Sequence, residues 1–188
     1  YQGQDEKDPE KLLSIISAAI PQGHRDFSNE LLDAHGVPRL PDDEKKADSL
    51  MMTEATSQPL IDVALEHPNV KLVANALGTP PPEIIKQIQN SGRMVGALCG
   101  APKHARYHVE AGLDFIVAQG GEGGGHCGEI GSTVLWPEIV DIAGDIPVIA
   151  AGGVDSGRQM YAALATGAQG VWSGSIWLTV AEADSNDV

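Results

Sequence analysis

One stretch of the sequence places a histidine inside a dense run of glycines. The segment AQGGEGGGHCGEIG, residues 118–131, contains seven glycines, with His126 among them. Regular helix or strand is not expected here, because each glycine loses more backbone freedom on ordering than any other residue. An imidazole can accept or carry a proton near neutral pH, so His126 is a candidate for acid–base chemistry. The segment is typical of a loop that wraps closely around a ligand.

Two further glycine-rich segments follow apolar runs. Gly152 and Gly153 precede Ser156, where a helix is expected to begin, and the sequence Ser173-Gly174-Ser175 ends the last apolar run. Successive backbone N–H groups and a helix N-terminus both attract anions. Apart from one arginine a turn into the helix, these segments contain no Lys or Arg. We therefore expect a phosphate group to be bound mainly by backbone N–H groups.

The elements that must position these segments alternate regularly from residue 70 onward. Continuous apolar runs predict five strands, over 70–78, 94–100, 114–120, 147–153 and 170–175, and the segments between and after them predict helices over 81–92, 102–112, 137–144, 156–167 and 176–183. Continuous rather than alternating apolar runs are typical of a parallel sheet that is buried on both faces. Such a repeat predicts either a doubly wound sheet or a TIM barrel, and the regular spacing of about two dozen residues favours the barrel.

The first 68 residues have a different composition. They carry 14 acidic and 6 basic residues, against 12 and 6 in residues 69–188. Helices are predicted over 8–20, with Asp8 as N-cap, and over 27–36 and 54–68, with a polar linker over 38–46. Pro21 and Gly23 are expected to end the first helix. We therefore predict two regions, an acidic helical one over 1–68 and a strand-rich one over 69–188.

Composition restricts the class of partner. The formal net charge of −14 argues against nucleic acid or an anionic membrane surface as a partner and favours a small molecule. Two cysteines do not make a disulfide framework at this length, and the sequence has neither a signal peptide nor an apolar run of ~18 residues. These features predict a cytoplasmic protein.

Four segments together resemble a known family. NALG at 75–78, DFIVAQGGEGGGHCG at 114–128, PVIAAGGVDSGRQ at 147–159 and GVWSGSIWLT at 170–179 are similar, in order and spacing, to segments of the FMN-dependent nitronate monooxygenases, formerly 2-nitropropane dioxygenases. The resemblance implies a partial TIM (β/α)8 barrel in which the five strands are the fourth to eighth. It also implies that residues 1–68 are a helical insertion between barrel strands and that the chain is a fragment of a longer one.

The resemblance also implies site residues and a reaction. His126 matches the family's catalytic histidine, Gln119 and Gly124 match flavin contacts, and Gly153 matches a phosphate contact; the remaining phosphate contacts are matched by Trp172, Ser173, Gly174 and Ser175. The implied cofactor is FMN, and the implied substrates are a nitronate, the anion of a nitroalkane, and molecular oxygen. No metal is implied. The family commonly has threonine, alanine and threonine where this chain has Gly121, Gly123 and Cys127.

Other interpretations remain open beside this one. A flavin-dependent enoyl-thioester reductase would have similar glycine loops and a similar histidine, and a noncatalytic fragment without flavin is a further alternative. The glycines at 123, 125 and 128 also match a dinucleotide fingerprint, but no helix is predicted to begin directly after them. His104 and His108 have the spacing of a metal pair on a helix, although a solvated helix face accounts for them better. A Cys127–His126 nucleophile pair is disfavoured, because adjacent residues rarely point at each other.

Overall fold

The structure is a computed structural model that describes residues 9–38 and 54–183. The chain divides into two compact units, Tyr1–Glu66 and His67–Val188, and each is described by itself. The N-cap predicted at Asp8 and most of the linker predicted over 38–46 lie outside the described residues.

The first unit is helical where it is described. Its helices are α1 (Pro9–Ala19), α2 (Gln22–Ala34) and α3 (Glu54–Glu66). Helix α2 begins five residues before the predicted start at Phe27, and it contains Gly23, so the prediction that Gly23 ends a helix was wrong. Ile20 and Pro21 separate the two helices. The extended backbone of Pro21 is the N-cap of α2, which allows a new helix to begin at the next residue.

The second unit alternates strands with helices. The strands are β1 (Leu72–Asn75), β2 (Met94–Cys99), β3 (Phe115–Gln119), β4 (Val148–Ala151) and β5 (Gly170–Trp172), and the helices are α4 (Pro82–Asn90), α5 (Pro102–Glu110), α6 (Ser132–Ala143) and α7 (Gly157–Ala165). A short 3-10 helix, Ser175–Thr179, replaces the last predicted helix. Helices α4 and α5 begin with proline, whose missing N–H would be unpaired there in any case.

The five strands form one parallel sheet in the order β1-β2-β3-β4-β5. Every strand pairs with its neighbour in the sequence, and the order never reverses, whereas a doubly wound sheet reverses at a switch point. Because crossovers between parallel strands are right-handed, an order without reversal places the crossover helices on one face of the sheet. This is the arrangement of consecutive strands in a TIM barrel, so the predicted α/β fold with part of a barrel is confirmed.

The two faces of the sheet are packed differently. On β3, Ile116 and Ala118 are buried in a cluster with Leu135 and Ile139 of α6. The alternate residues, Phe115 and Val117, belong to a second cluster with residues of β1, β2 and β4. The middle strand is therefore buried on both faces, as the continuous apolar runs predicted, while the edge strands β1 and β5 are partly exposed.

Helix α6 begins at Ser132, five residues before the predicted start at Pro137. The prediction was wrong because it treated the proline as the first helical residue. The amide of Ser132 instead donates to the carboxylate of Glu122, 2.8 Å away, which satisfies the first N–H of the helix. The added turn packs Leu135 and Trp136 into the core.

Within the described ranges, no helix is both long enough and apolar enough to cross a bilayer.

Candidate functional site

A cavity of about 770 Å³ opens at the carboxyl ends of the strands. Three segments line most of it: the glycine loop (residues 120–131), the β4 turn (residues 152–154) and the β5 end (residues 173–175). Its lining consists of Leu98, Gln119, Glu122, residues 123–125 and 151–155, Trp172, residues 174–176, Leu178 and Thr179. Ligand cavities typically measure ~300–1,000 Å³, so this one can hold a cofactor-sized molecule.

The register of the strands brings the three segments together. Gln119 pairs with Ala151, and Ala151 pairs with Trp172, so the last residues of β3, β4 and β5 lie side by side. A Cβ atom added to Gly124 would collide with Ser175 Oγ, which places the glycine loop directly against the β5 end. The glycine-rich segments, separate in sequence, therefore share one cavity.

The β4 turn has a backbone that only glycine adopts easily. Gly152 and Gly153 have consecutive positive φ angles of 93° and 71°. Side chains would also be crowded there: a Cβ on Gly152 would lie 2.9 Å from the Gly120 carbonyl oxygen, and one on Gly153 would lie 3.1 Å from Glu122 Cβ. The turn forms a cradle of bare backbone at the cavity wall, and it leads into the N-terminus of α7. Such a cradle fits a phosphate group.

The glycine loop is fastened at its base by Glu122 and Ser132. The Ser132 amide donates to Glu122 Oε2, and Ser132 Oγ lies 2.6 Å from the same oxygen and 2.8 Å from the carbonyl oxygen of Gly152. Hydrogen bonds from the side chain and the backbone of Ser132 hold the pKa of Glu122 below its ordinary value. The carboxylate is therefore ionised at neutral pH, and the single hydroxyl proton of Ser132 serves one of the two acceptors at a time.

Other contacts shape the loop and the strand end below it. The Gly121 amide donates to the Ile130 carbonyl, 2.8 Å away, and closes the loop. The carbonyl oxygen of Ala151 accepts both the Gly120 amide, at 3.0 Å, and the buried indole N–H of Trp136, at 3.1 Å. These bonds tie α6, β3 and β4 together directly under the cavity.

The structure brings most of the predicted site residues to the cavity. Gln119, Gly124 and Gly153 line it, as do Trp172, Gly174 and Ser175. His126 and Ser173 are not among its lining residues. His126 is exposed on the glycine loop, directly after Gly125, which does line the cavity.

Two polar residues of the site were missed by sequence reasoning. Glu122 lines the cavity, and Ser132 is 4% exposed beneath it. The available signal was an acidic residue within a glycine run, followed by a serine at the start of an apolar segment, a pattern that can mark a capped helix. The lining has two carboxylates, those of Glu122 and Asp155, and none of the described lining residues is a lysine, arginine or histidine.

The histidine pair on α5 does not form a metal site. His108 is only 1% exposed, so the interpretation as a solvated helix face was wrong for it. Its Nε2 lies 3.2 Å from the Leu98 carbonyl oxygen and its Nδ1 lies 2.8 Å from Thr79 Oγ1, which satisfies both ring nitrogens. Among the described residues, no group of three or more His, Cys, Asp or Glu side chains could hold a metal ion.

The two cysteines occupy different environments. Cys99, at the end of β2, is buried, and burial raises the pKa of its thiol to about 12. Cys127 is exposed on the glycine loop, where its Sγ lies 3.5 Å from the Gly121 carbonyl oxygen. Since the thiolate is the nucleophilic form, Cys99 is inert at neutral pH.

The parallel sheet and the cavity at its carboxyl edge define part of a TIM-barrel protein whose site is built from the loops that follow the strands. The family model for nitronate monooxygenase matches residues 40–188, and the chain belongs to that family.

Two relatives and one solved structure show how far the similarity of this chain extends. The Mycobacterium tuberculosis protein Rv1533, which carries a monooxygenase name, is 48% identical over 90% of this chain and 45% of its own length. An indene-carboxyl-CoA dehydrogenase of Rhodococcus jostii is 43% identical over 63% of this chain and 33% of its own length. The structure of a nitroalkane oxidase from Streptomyces ansochromogenes aligns with a TM-score of 0.60 and 33% identity over 65% of this chain and 38% of that one. The chain thus spans less than half the length of the curated relatives it matches.

Proposed function

We propose that the protein to which this chain belongs is an FMN-dependent oxidoreductase that oxidises alkyl nitronates with molecular oxygen. The observation that carries the proposal is the shared cavity, in which the β4 turn and the β5 end lie beside the glycine loop. Membership of the nitronate monooxygenase family supports it. A protein of this kind would act in the cytoplasm without nucleic-acid or membrane partners, consistent with its net charge of −14.

The proposed cofactor site uses backbone rather than charged side chains. The amides of the β4 turn, with those of Gly174 and Ser175, would bind the phosphate of FMN, with Ser173 and Trp172 completing that end of the cavity. Bare backbone suits this role, since Gly153 has a positive φ and a Cβ there would lie only 3.1 Å from Glu122 Cβ.

The flat ring would lie in the cavity, against the wall that the glycine loop forms. Gln119 and Gly124 would contact it, because both line the cavity. FMN, when bound, would accept the electrons of the substrate and pass them to oxygen.

His126 is proposed to be the acid–base residue of the reaction. Its imidazole, exposed on the glycine loop, is accessible to a small substrate. In the neutral form it would accept the carbon-bound proton of a nitroalkane, and in the protonated form it would pair with a nitronate anion. Protonated His126 would supply a positive charge for the anion, because the described lining residues carry two carboxylates and no positive charge.

Oxygen consumption by the full-length natural protein, supplied with FMN and propionate 3-nitronate, tests the proposal. Because propionate 3-nitronate is already deprotonated, His126→Ala is expected to weaken its binding and raise KM by about tenfold, through loss of a hydrogen bond between charged groups. With the parent nitroalkane, the same variant should lose activity by ~100-fold, the lower end of what one general base contributes. His35→Ala, which removes an exposed histidine outside the cavity lining, is the matched control and should keep full activity. Equal rates for the two variants would remove His126 from this role, and no oxygen uptake by the natural protein would contradict the reaction itself.

A second candidate is a reductase or dehydrogenase that acts on an acyl thioester. The relative named as a carboxyl-CoA dehydrogenase favours it. In the reductase direction, this candidate predicts oxidation of NAD(P)H that depends on an enoyl-thioester substrate, which the nitronate reaction does not require. A purified protein without flavin absorbance, even after incubation with FMN, would instead favour a noncatalytic role.

A further inference from the structure

Glu122 belongs to the glycine loop, yet its carboxylate is bound to a different element. It accepts the Ser132 amide at the start of α6, and it lies 2.6 Å from the Ser132 hydroxyl oxygen. That hydroxyl is also 2.8 Å from the carbonyl oxygen of Gly152 in the β4 turn. One buried serine therefore connects two walls of the cavity, and Glu122 is the cavity-lining residue that binds it.

The backbone around this connection is packed without spare room. A Cβ added to Gly120 would collide with Ser132, and one added to Gly152 would lie 2.8 Å from Ser132 Oγ. A Cβ added to Gly131 would lie 3.3 Å from Glu122 Oε1. A loop with seven glycines has few side chains of its own to restrain it, and these contacts anchor it near the cavity.

The position of the carboxylate also affects where an anion can bind. The N-terminus of α6 carries a partial positive charge, and its first amide has no acceptor within the helix; such a position is a common place for a ligand phosphate. Glu122 already occupies that place with a negative charge. Under the proposed function, the phosphate of FMN would therefore bind at the β4 turn and not at the N-terminus of α6.

We propose that Glu122 is a positioning residue that, through Ser132, fixes the glycine loop against the β4 turn and thereby sets the affinity of the cavity for flavin. This inference rests on the proposed function, since it takes FMN as the ligand. Gly124 follows Glu122 by two residues, and a Cβ on Gly153 would touch Glu122 Cβ. Release of the carboxylate would therefore change the separation of the two walls that hold the cofactor.

Amide hydrogen exchange on the flavin-free full-length protein tests whether Glu122 fixes the glycine loop against the β4 turn. In Glu122→Ala, the amides of residues 123–125 and 152–154 should exchange about tenfold faster, because a hydrogen bond to a charged group is lost. Glu122→Gln should restore part of the protection, since its amide oxygen can still accept the Ser132 N–H. Glu129→Ala, which removes an exposed acid from the same loop, is the control and should exchange like the natural protein.

Quenching of FMN fluorescence measures flavin affinity and tests whether the position of the loop sets that affinity. Glu122→Ala and Ser132→Ala should each weaken FMN binding by about three- to tenfold, and the double variant should be no weaker than the worse single one, because both remove the same connection. Exchange rates in Glu122→Ala equal to those of Glu129→Ala would overturn the inference, as would faster exchange with unchanged FMN affinity. A natural protein that binds no FMN would refute the proposed function first, and the exchange rates would still show whether the anchor exists.

Discussion

The amino-terminal end of the sheet is closed by side chains, whereas the carboxyl end is left open by glycines. At the amino end, Asp114 Oδ2 accepts the buried Val95 amide at 2.9 Å, and Gln169 Oε1 accepts the Val148 amide at 2.7 Å. The first bond joins the start of β2 to the residue before β3, and the second joins the start of β4 to the residue before β5. At the carboxyl end, the β4 turn presents bare backbone to a cavity.

This difference suits the amino end of the sheet to stabilising the fold and the carboxyl end to binding a ligand. Side-chain hydrogen bonds at the amino end satisfy strand amides that would otherwise be buried without a partner. Glycines at the carboxyl end contribute no side-chain contacts, but they bring backbone N–H groups close to a ligand. Substitutions at the amino end should therefore change stability alone, while those at the carboxyl end should change flavin affinity first.

The largest effect on binding is expected from Gly153→Ala. The alanine would have to adopt a φ near 71°, at a cost of roughly 1–2 kcal/mol, with its methyl group 3.1 Å from Glu122 Cβ. Either strain or a shifted turn would weaken FMN binding by about tenfold or more, measured by fluorescence titration. Gly157→Ala, four residues later with open space around the added methyl group, is the matched control. Equal affinities for the two variants would show that the β4 turn does not bind the cofactor.

A smaller effect, and on stability rather than binding, is expected from Asp114→Ala. The substitution leaves the amide of Val95, which is 1% exposed, without its acceptor and also removes the bonds from Gln89. The free energy of unfolding should fall by about 1–2 kcal/mol in urea denaturation, with FMN affinity unchanged. Asp141→Ala, on the exposed face of α6, provides the control and should stay within about 0.5 kcal/mol of the natural protein. A loss of FMN affinity in Asp114→Ala would break the separation between the two ends.

The smallest predicted effect is a dependence of stability on pH through His108. Burial, the largest cause, lowers the pKa of His108 below its ordinary value of 6.5; the hydrogen bond to Leu98 raises it, and the nearby His104 lowers it. As the pH falls below 6.5, the unfolded chain binds a proton at this residue before the folded chain does. The associated stability is fully present above pH 6.5 and is lost as the pH falls toward the lower pKa of the folded state.

Urea unfolding at pH 7.5, 6.5 and 5.5 measures this dependence. His108→Gln should be less stable at pH 7.5, because it loses packing, but its stability should fall less steeply with acidity than that of the natural protein. His104→Gln is the control for the neighbouring imidazole. Parallel pH curves for His108→Gln and the natural protein would mean that His108 does not titrate differently on folding.

Local patterns were enough to predict the strand-rich part of the fold. The five apolar runs became five neighbouring parallel strands, because continuous apolar segments are typical of a parallel sheet whose central strands are covered on both faces. The start of α6 was not predictable in this way. It depends on a hydrogen bond between Glu122 and Ser132, ten residues apart, which no local propensity encodes.

The residues of the candidate site were likewise predicted only in part from the sequence. The resemblance of the glycine segments selected Gly124, Gly153 and Ser175, which the structure places at one cavity, while their role in binding flavin stays a prediction. It did not indicate Glu122, whose role as an anchor arises from contact with another element. Nor did it indicate that His108 is buried, because its partners Thr79 and Leu98 come from two different strand–loop segments.

The sequence by itself determined the order of strands and helices, the parallel sheet and the segments where the backbone is bare, since each depends on residue type and on spacing along the chain. Only the tertiary structure decided which glycine lies against which side chain, where α6 begins and which carboxylate occupies its N-terminus. Those outcomes depend on contacts between residues that are distant in sequence, and such contacts exist only after the sheet has brought the strand ends together.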